Sequence, residues 1–412
     1  MFDNKLTSLS QFAVVRVKQP VMFHQTDDET WLLNPNRRYL INTSRLSVLG
    51  DMIESVSELE GMALHRPLRA NKSIANARIL IERFRERGIG DLLFLTGPLA
   101  YMQNVSGGTA AVDLYALSDR GTVLTNSPLL RNGTVLCGPV ELDHFAHYDY
   151  QWLIPSATEC NEEDDQLNVY DALFELLGFD HTQIDPQWKR PQGVKLTDAD
   201  YENLHRFYKY IFDLKKLDLR RIGYYVVAPF ANATPRCASY RLWISVITEL
   251  SRRRPVVVVG NTKLRLPDTD MSAGEFHNAV NNMGQGVINA IDATPLRVLM
   301  ALIQRSFGVL CLDSAPLYIA EALRVPAISL WGAHPPAARI GYDPEYMDMA
   351  VWKEQNCPQA PCFAYSNFPA HKCPDGNKQS MCEVLKSAAP NDVLAMVDKL
   401  EARNAQLGKL NK

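Results

Sequence analysis

Three stretches of this 412-residue chain gather residue types that handle anions and protons. The first is Gly88-Ile-Gly90-Asp91, with Thr96 and Pro98 close behind, after an apolar run at 79–83 that reads as a strand. Glycines at a strand's carboxyl end let backbone approach a ligand, and open α/β sheets bind ligands in that crevice. Asp91 would stand there as a carboxylate; the plainer alternative is a glycine turn with Asp91 capping a helix. The second stretch, Val226–Arg236, runs from a strand through a small-residue loop to an arginine. A guanidinium there suits a diphosphate, because its planar fork pairs with two phosphate oxygens at once; the alternative is an ordinary surface arginine. In the third, Phe307–Gly332, a buried strand ends at Leu312 and Asp313-Ser314-Ala315-Pro316 follow. Pro316 suits the first turn of a helix, whose open N–H groups and positive dipole end attract an anion, with the Ser314 hydroxyl as a further donor. An ordinary βαβ unit would show the same pattern.

The elements that must hold these stretches alternate in the manner of parallel α/β sheets. Strands are expected at 222–227, 256–259, 309–312 and 327–330, with helices at 240–250, 295–304 and 317–323 between and beside them. In the first half, strands at 79–83, 112–116, 134–136 and 150–154 accompany a helix after Thr96 and another at 166–177. Thr197-Asp-Ala-Asp200 reads as a capping box, and Tyr201, Leu204, Tyr208 and Ile211 line one face of the helix it starts. Near the N-terminus, Val14–Val17, Trp31–Leu33 and Tyr39–Ile41 resemble small antiparallel strands, with turns at Asp27-Asp28 and Asn34-Pro35. The expected organisation is a β-rich extension at 1–77, a Rossmann-like domain at 78–190, a linker helix at 191–220 and a second Rossmann-like domain at 221–412.

Composition narrows the function. Apolar residues make up 46% and charged residues 22%, as in an ordinary globular protein. A net charge of −3 provides no global positive field for a polyanion, which excludes a histone-like binder. No apolar run approaches the ~20 residues of a spanning helix. The start, Met1-Phe2-Asp3-Asn4-Lys5, lacks the pattern of a secretory signal, so a cytoplasmic setting is expected and the eight cysteines are read in a reducing one.

The run from Val287 to Tyr342, with Asp313-Ser314-Ala315-Pro316, Ala320, Ala322-Leu323, Val325-Pro326 and Gly332, resembles the signature of glycosyltransferase family 9, the ADP-heptose:lipopolysaccharide heptosyltransferases. Gly90-Asp91 with Thr96 and Pro98 is similar to that family's N-terminal motif, and Arg236 falls where the family usually has a phosphate-binding lysine. The resemblance implies a GT-B architecture: two Rossmann-like domains with parallel sheets facing a cleft, acceptor on the N-terminal side and nucleoside-diphosphate sugar on the C-terminal side. It also implies an inverting, metal-independent transfer. Asp91 would be the general base that takes the acceptor hydroxyl's proton, while Gly88, Gly90 and Thr96 line the cleft loop. Arg236 with Asp313, Ser314, Ala315, Pro316 and Tyr318 would hold the donor diphosphate as it leaves. No cofactor is required for that chemistry. Two Asp-x-Asp triplets, Asp198-Ala-Asp200 and Asp268-Thr-Asp270, evoke metal-dependent transferases, but one reads as a helix cap and the other as a loop.

Departures bear on the substrate. The family usually shows Asp-Ser-Gly-Pro-Met-His; here Ala315 replaces the glycine and Tyr318 the histidine, and Pro229-Phe230 stands for Pro-Gly. Diphosphate binding stays in place, whereas a heptose donor is less firmly implied. In the loop 357–382, Cys357-x4-Cys362-x10-Cys373-x8-Cys382 offers four ligands for a structural zinc, with packed thiols or a disulfide as alternatives. On the acceptor side, Arg66, Arg69, Lys72, Arg78, Arg83, Arg85 and Arg87 form a basic cluster before Asp91, beside Glu82 and Glu86. It would greet phosphorylated lipopolysaccharide core sugars, with the inner-membrane face as a peripheral location, or equally the phosphates of DNA. Three readings follow: transfer to a saccharide such as lipopolysaccharide core, transfer to a hydroxymethylated pyrimidine in DNA, and a non-catalytic sugar-binding scaffold. His144, His147, Tyr148, Tyr150 and Trp152 could stack on a sugar or base, or belong to the core.

Overall fold

A computed structural model of the chain describes residues 12–24, 30–58, 73–82, 88–116, 118–139, 141–142, 147–153, 168–231, 233–262, 270–362 and 381–406. It divides into two compact units, one of Met1–Asp164, Val169–Trp188 and Gly193–Lys195, the other of Asp165–Asn168, Lys189–Gln192 and Leu196–Lys412. The fold is α/β of the GT-B type, with parallel sheets in both units and a β-rich N-terminal part.

The N-terminal part is built from short antiparallel strands. Strands β1 (Phe12–Val17), β4 (Tyr39–Asn42) and β5 (Ile53–Glu58) pair antiparallel in the order β4-β1-β5, while β2 (Val21–His24) and β3 (Thr30–Leu33) form a hairpin. Ala13, Val15 and Val17 project inward with Phe23, Trp31, Leu33 and Ile41, as a period of two requires. This small core joins the first unit through an isolated bridge between Tyr39 and Glu141 and an Arg37–Glu141 ion pair.

The first unit's sheet holds β6 (Arg78–Glu82) between β7 (Ala111–Tyr115) and β8 (Tyr150–Leu153), all parallel. Helix α1 (Ile89–Val105) buries ten residues, including Leu92, Leu95 and Leu99, and α2 (Val169–Leu176) packs on it through Phe94 and Tyr170. The expectation of a helix after Thr96 is corrected here: α1 starts at Ile89, so the glycine-aspartate motif is its first turn. Gly88, in an extended conformation, is the N-cap, and the apolar wall from Leu92 onward carries the helix through Pro98 despite the lost backbone donor.

The second unit has six parallel strands: β9 (Tyr225–Ala228), β10 (Val256–Gly260), β11 (Val287–Ile291), β12 (Gly308–Leu312), β13 (Ala327–Trp331) and β14 (Ala350–Trp352). Their order is β11-β10-β9-β12-β13-β14, which counted from β9 is the doubly wound order 3-2-1-4-5-6. Continuous apolar runs such as Val256–Val259 fit strands covered on both faces. Strand β9 begins later than the sequence implies, because Leu219–Ile222 forms a helical turn capped by Asp218 and Gly223 turns the chain at φ +63°. Strands β11 and β14 escape the sequence reading; Asn289 interrupts the apolar run of the first and the second has three residues. Helix α3 (Asp198–Lys215) buries Leu204, Tyr208 and Ile211. Helices α4 (Tyr240–Arg253), α5 (Ala273–Asn281), α6 (Leu296–Arg305), α7 (Ala315–Ala322) and α8 (Pro390–Gln406) complete the unit. Among the described residues no helix is long and apolar enough to cross a membrane.

Candidate functional site

In the order 3-2-1-4-5-6 the crossover direction reverses between β9 and β12, and the crevice at their carboxyl ends is where such sheets bind ligands. Arg236 lies after β9 on the turn Thr234–Arg236, and Asp313 follows β12 directly. Sequence reasoning placed both here, and the fold brings them together. Arg236 Nη1 donates to the main-chain oxygen of Asp313 at 3.3 Å and stands 3.9 Å from its Oδ2.

The Asp313 side chain does not face a ligand. It is buried, Tyr318 donates its hydroxyl to Oδ1, and Arg339 Nε lies 3.7 Å from Oδ2. Burial alone would raise its carboxyl, but the Arg339 and Arg236 guanidiniums and the Tyr318 hydroxyl outweigh that and hold it below the usual range. Asp313 and Tyr318, expected at the diphosphate, both have buried side chains that face each other. What faces the crevice is Arg236 and the first turn of α7. Ser314 is the N-cap with its Oγ turned to the Leu312 oxygen at 3.3 Å, Ala315 opens the helix, and Pro316 lies in its first turn.

The third wall is the loop after β13. A Cβ on Gly332 would stand 2.6 Å from the Pro235 oxygen, so the loops after β9 and β13 meet only because this residue has no side chain. The loop carries His334 and leads to Arg339 on the turn Ala337–Ile340; both are buried, and neither was singled out in the sequence. Burial, then the Arg339 charge, pulls His334 well below the ordinary histidine range, so it is neutral. Residues placed just beyond a predicted strand's carboxyl end were the available signal. Phe230 fills a core position against Tyr240 and Phe276, in space that Gly260 leaves for its ring.

In the first unit Asp91 occupies the third position of α1, and its carboxylate folds back over the N-cap, where a methyl group on Gly88 would overlap it. A carboxylate in a first helical turn is favoured by the dipole. Gly88 and Gly90 flank it as expected. Thr96 does not: it is buried on α1 and its hydroxyl donates to the Leu93 oxygen at 2.5 Å, so its place in a cleft loop is withdrawn.

The remaining candidates separate. Asp200 caps α3 and pairs with Arg297, while Asp270 caps α4 through Ser239 and the Tyr240 N–H, so neither Asp-x-Asp is a described metal site; Asp268 lies outside the described residues. Tyr148 donates to Asp113 at 2.7 Å under the Arg78 guanidinium, and Trp152 is buried against Tyr150, which makes them structural. Arg66, Arg69, Lys72, Arg83, Arg85, Glu86, Arg87 and His144 lie outside the described residues. So does Cys373. Cys357 and Cys362 lie close enough to Cys382 to act on it: burial above all, with the neighbouring Cys362 and Cys357 adding, pushes the Cys382 thiol up to about 11. Among the described residues no group of three or more histidine, cysteine or acidic side chains is arranged to hold a metal.

Comparison with known proteins agrees with this geometry. Residues 222–368 match the model of glycosyltransferase family 9 (heptosyltransferase). No curated protein sequence matches the chain. Among solved structures, the E. coli ADP-heptose lps heptosyltransferase II aligns at 14% identity and TM-score 0.55, covering 80% of this chain and 99% of its own. The iron-containing dodecameric glycosyltransferase TibC from enterotoxigenic E. coli H10407 aligns at 13% identity and TM-score 0.56, covering 95% and 91%. A structure of TibC, described as a heptosyltransferase, in complex with ADP-D-beta-D-heptose aligns at 13% identity and TM-score 0.54, covering 95% and 92%. At these identities the likeness shows the fold.

Proposed function

We propose that the chain, whose residues 222–368 match the glycosyltransferase family 9 model, transfers a sugar from a nucleoside-diphosphate sugar, of the ADP-heptose kind, to an acceptor hydroxyl. The observation that carries the reading is the meeting of Arg236 and the α7 N-terminus at the switch point of a 3-2-1-4-5-6 sheet. The diphosphate gains charge as the glycosidic bond breaks, and preformed donors aimed at it lower the barrier. Arg236 is the catalytic cation, and the backbone N–H groups of the first turn of α7 add their dipole. Asp91 takes the acceptor proton as the hydroxyl attacks the anomeric carbon from the opposite face, giving inversion. Both charges that a metal would neutralise are met by Arg236 and the helix terminus, so no cofactor is assigned to the transfer.

A saccharide acceptor such as lipopolysaccharide core is the reading in keeping with the family; the basic residues that pointed to DNA lie outside the described residues, apart from Arg78, which covers Tyr148. Metal analysis of protein purified without chelator decides between a structural zinc and packed thiols or a disulfide at the cysteines of loop 357–382.

The donor reading is tested by thermal shift over nucleoside diphosphates. A ligand that binds only the native state raises the melting temperature by mass action, so ADP should stabilise the chain and adenosine should not. No shift with any nucleoside diphosphate would overturn it.

A further inference from the structure

The end of α3 carries a surface for which sugar transfer has no use. Among the described residues of the second unit, the large apolar side chains left strongly exposed all fall within 210–222: Tyr210, Phe212, Leu214 and Ile222, between 43% and 62% exposed. They are additional to the stripe that packs the helix, which Leu204, Tyr208 and Ile211 supply. Tyr210 and Leu214, four residues apart, share one flank, and Phe212 lies on the other, so the three ring the last turn and a half. A solvated helix end is served as well by lysine or glutamate, so helix formation does not account for them.

Basic residues crowd the same stretch. From Arg206 to Ile222 stand Arg206, Lys209, Lys215, Lys216, Arg220 and Arg221 against Asp213 and Asp218, a charge of +4 in a chain whose net charge is −3. Asp218 pairs with Arg220 and, at 3.6 Å, with Arg221, whose side chain stays 87% exposed. Lys216, the left-handed C-cap, holds its ammonium 5.9 Å from the Phe212 ring, and Arg254 brings a further guanidinium by donating to the Ile222 oxygen at 3.4 Å. Aromatic and aliphatic tips set among lysines and arginines suit a lipid headgroup layer: the tips enter the acyl boundary while the long basic side chains reach the phosphates. The charge also selects the occupant. A second copy of this chain in a two-fold contact would set +4 against +4, and a nucleic acid would gain nothing from Leu214 and Ile222.

We propose that the end of α3 and the helical turn after it form a docking surface for an anionic lipid bilayer, on which the chain rests without crossing. Attraction between the basic side chains and the anionic headgroups makes the contact sensitive to salt, and the apolar tips make it sensitive to Tyr210 and Leu214. The surface is independent of the donor reading, since none of its residues belongs to the loops after β9, β12 and β13.

The test is co-sedimentation of the full chain with phosphatidylcholine vesicles, with and without about one third phosphatidylglycerol, at ~0.1 and ~0.5 M salt. Wild type should sediment with the anionic vesicles, bind the neutral ones at least roughly tenfold more weakly, and be released by the higher salt. K209E/R221E, which brings the charge of the stretch to zero, should weaken binding by roughly 30-fold, and Y210S/L214S by roughly tenfold. All four positions are on the surface, so both variants should keep the wild-type melting temperature and ADP affinity. Wild type left in the supernatant, equal binding to both kinds of vesicle, or folded variants that sediment as wild type does would overturn the proposal. An oligomer in analytical ultracentrifugation that Y210S/L214S dissociates would overturn it too, by giving the face to a second copy. Should Y210S/L214S fail to fold, K209E/R221E decides. Wild type that binds anionic vesicles but no ADP removes the donor reading and leaves this surface standing.

Discussion

At the carboxyl edge of the six-stranded sheet, the loops after β9, β12 and β13 converge on one buried carboxylate, whereas at the edge of the three-stranded sheet Asp91 leans on a glycine. The first arrangement is over-determined: Asp313 has three partners, and Gly332 lets two loops touch. At the second, the N-cap Gly88 makes no side-chain cap, and a Cβ on it would meet the Asp91 carboxylate. A site that grips a charged leaving group benefits from rigid, preorganised charges, whereas a base must reach the hydroxyl it deprotonates. Damage at the two edges should therefore register differently, as lost affinity on one and lost turnover on the other.

The largest effect is expected at the Asp91 edge. D91N should lower kcat by about a thousandfold while ADP affinity and melting temperature stay at wild-type values, which steady-state kinetics beside calorimetry would check. Next, R236M should raise the Kd for ADP by roughly 30-fold, and R236K should recover only part of it because a single ammonium lacks the fork. G88A is a finer probe. Its methyl group displaces the Asp91 carboxylate, so kcat should fall by about tenfold with little change in melting temperature. If G88A instead left kcat intact, the placement of Asp91 over Gly88 would not matter to catalysis. G332A, at the crowded edge, should act the other way, destabilising by about 1–3 kcal/mol because its Cβ meets the Pro235 backbone oxygen as well as the Leu385 side chain.

The smallest effect separates two acids of the second unit. Asp313 is held below the usual range, so its contribution to stability is present above the unfolded carboxyl pKa and is lost as pH falls through the folded one. Glu321 on α7 is the opposite case. It is fully buried, neither carboxyl oxygen has a hydrogen-bond partner among the described residues, and burial, then Asp343, push it well above the ordinary value despite Arg324 and Arg190. A raised folded pKa means stability that is complete below about pH 4.3, the unfolded value, and declines as pH rises toward the folded one. E321Q should melt about 2–4 °C above wild type at pH 8, with the gap closing toward acid pH. Parallel melting curves across that range would contradict it.

Much of the donor edge was legible because it is local. Asp313-Ser314-Ala315-Pro316 and Arg236 sit within a few residues of the strand ends that position them, and apolar runs mark those strands. What the Asp313 side chain does was not legible, because its partners Tyr318 and Arg339 follow from tertiary packing, and Arg339 arrives from a loop two elements downstream. Thr96 falls inside α1 rather than before a helix because the buried face of α1 runs continuously from Leu92 through Ala100. Strand β14 carries too few residues to show a period, yet Trp352 fixes it by donating to the Gly332 oxygen at 3.0 Å.

The central claim is sugar transfer, and mass spectrometry of an acceptor tests it most directly. Wild type would be incubated with ADP-heptose and either heptose-deficient lipopolysaccharide core or DNA containing hydroxymethylcytosine, with D91N as control. The account predicts ADP release matched by one added heptose on the saccharide, with neither in D91N. ADP release and acceptor mass both unchanged in wild type that binds ADP would contradict it and leave a sugar-binding scaffold.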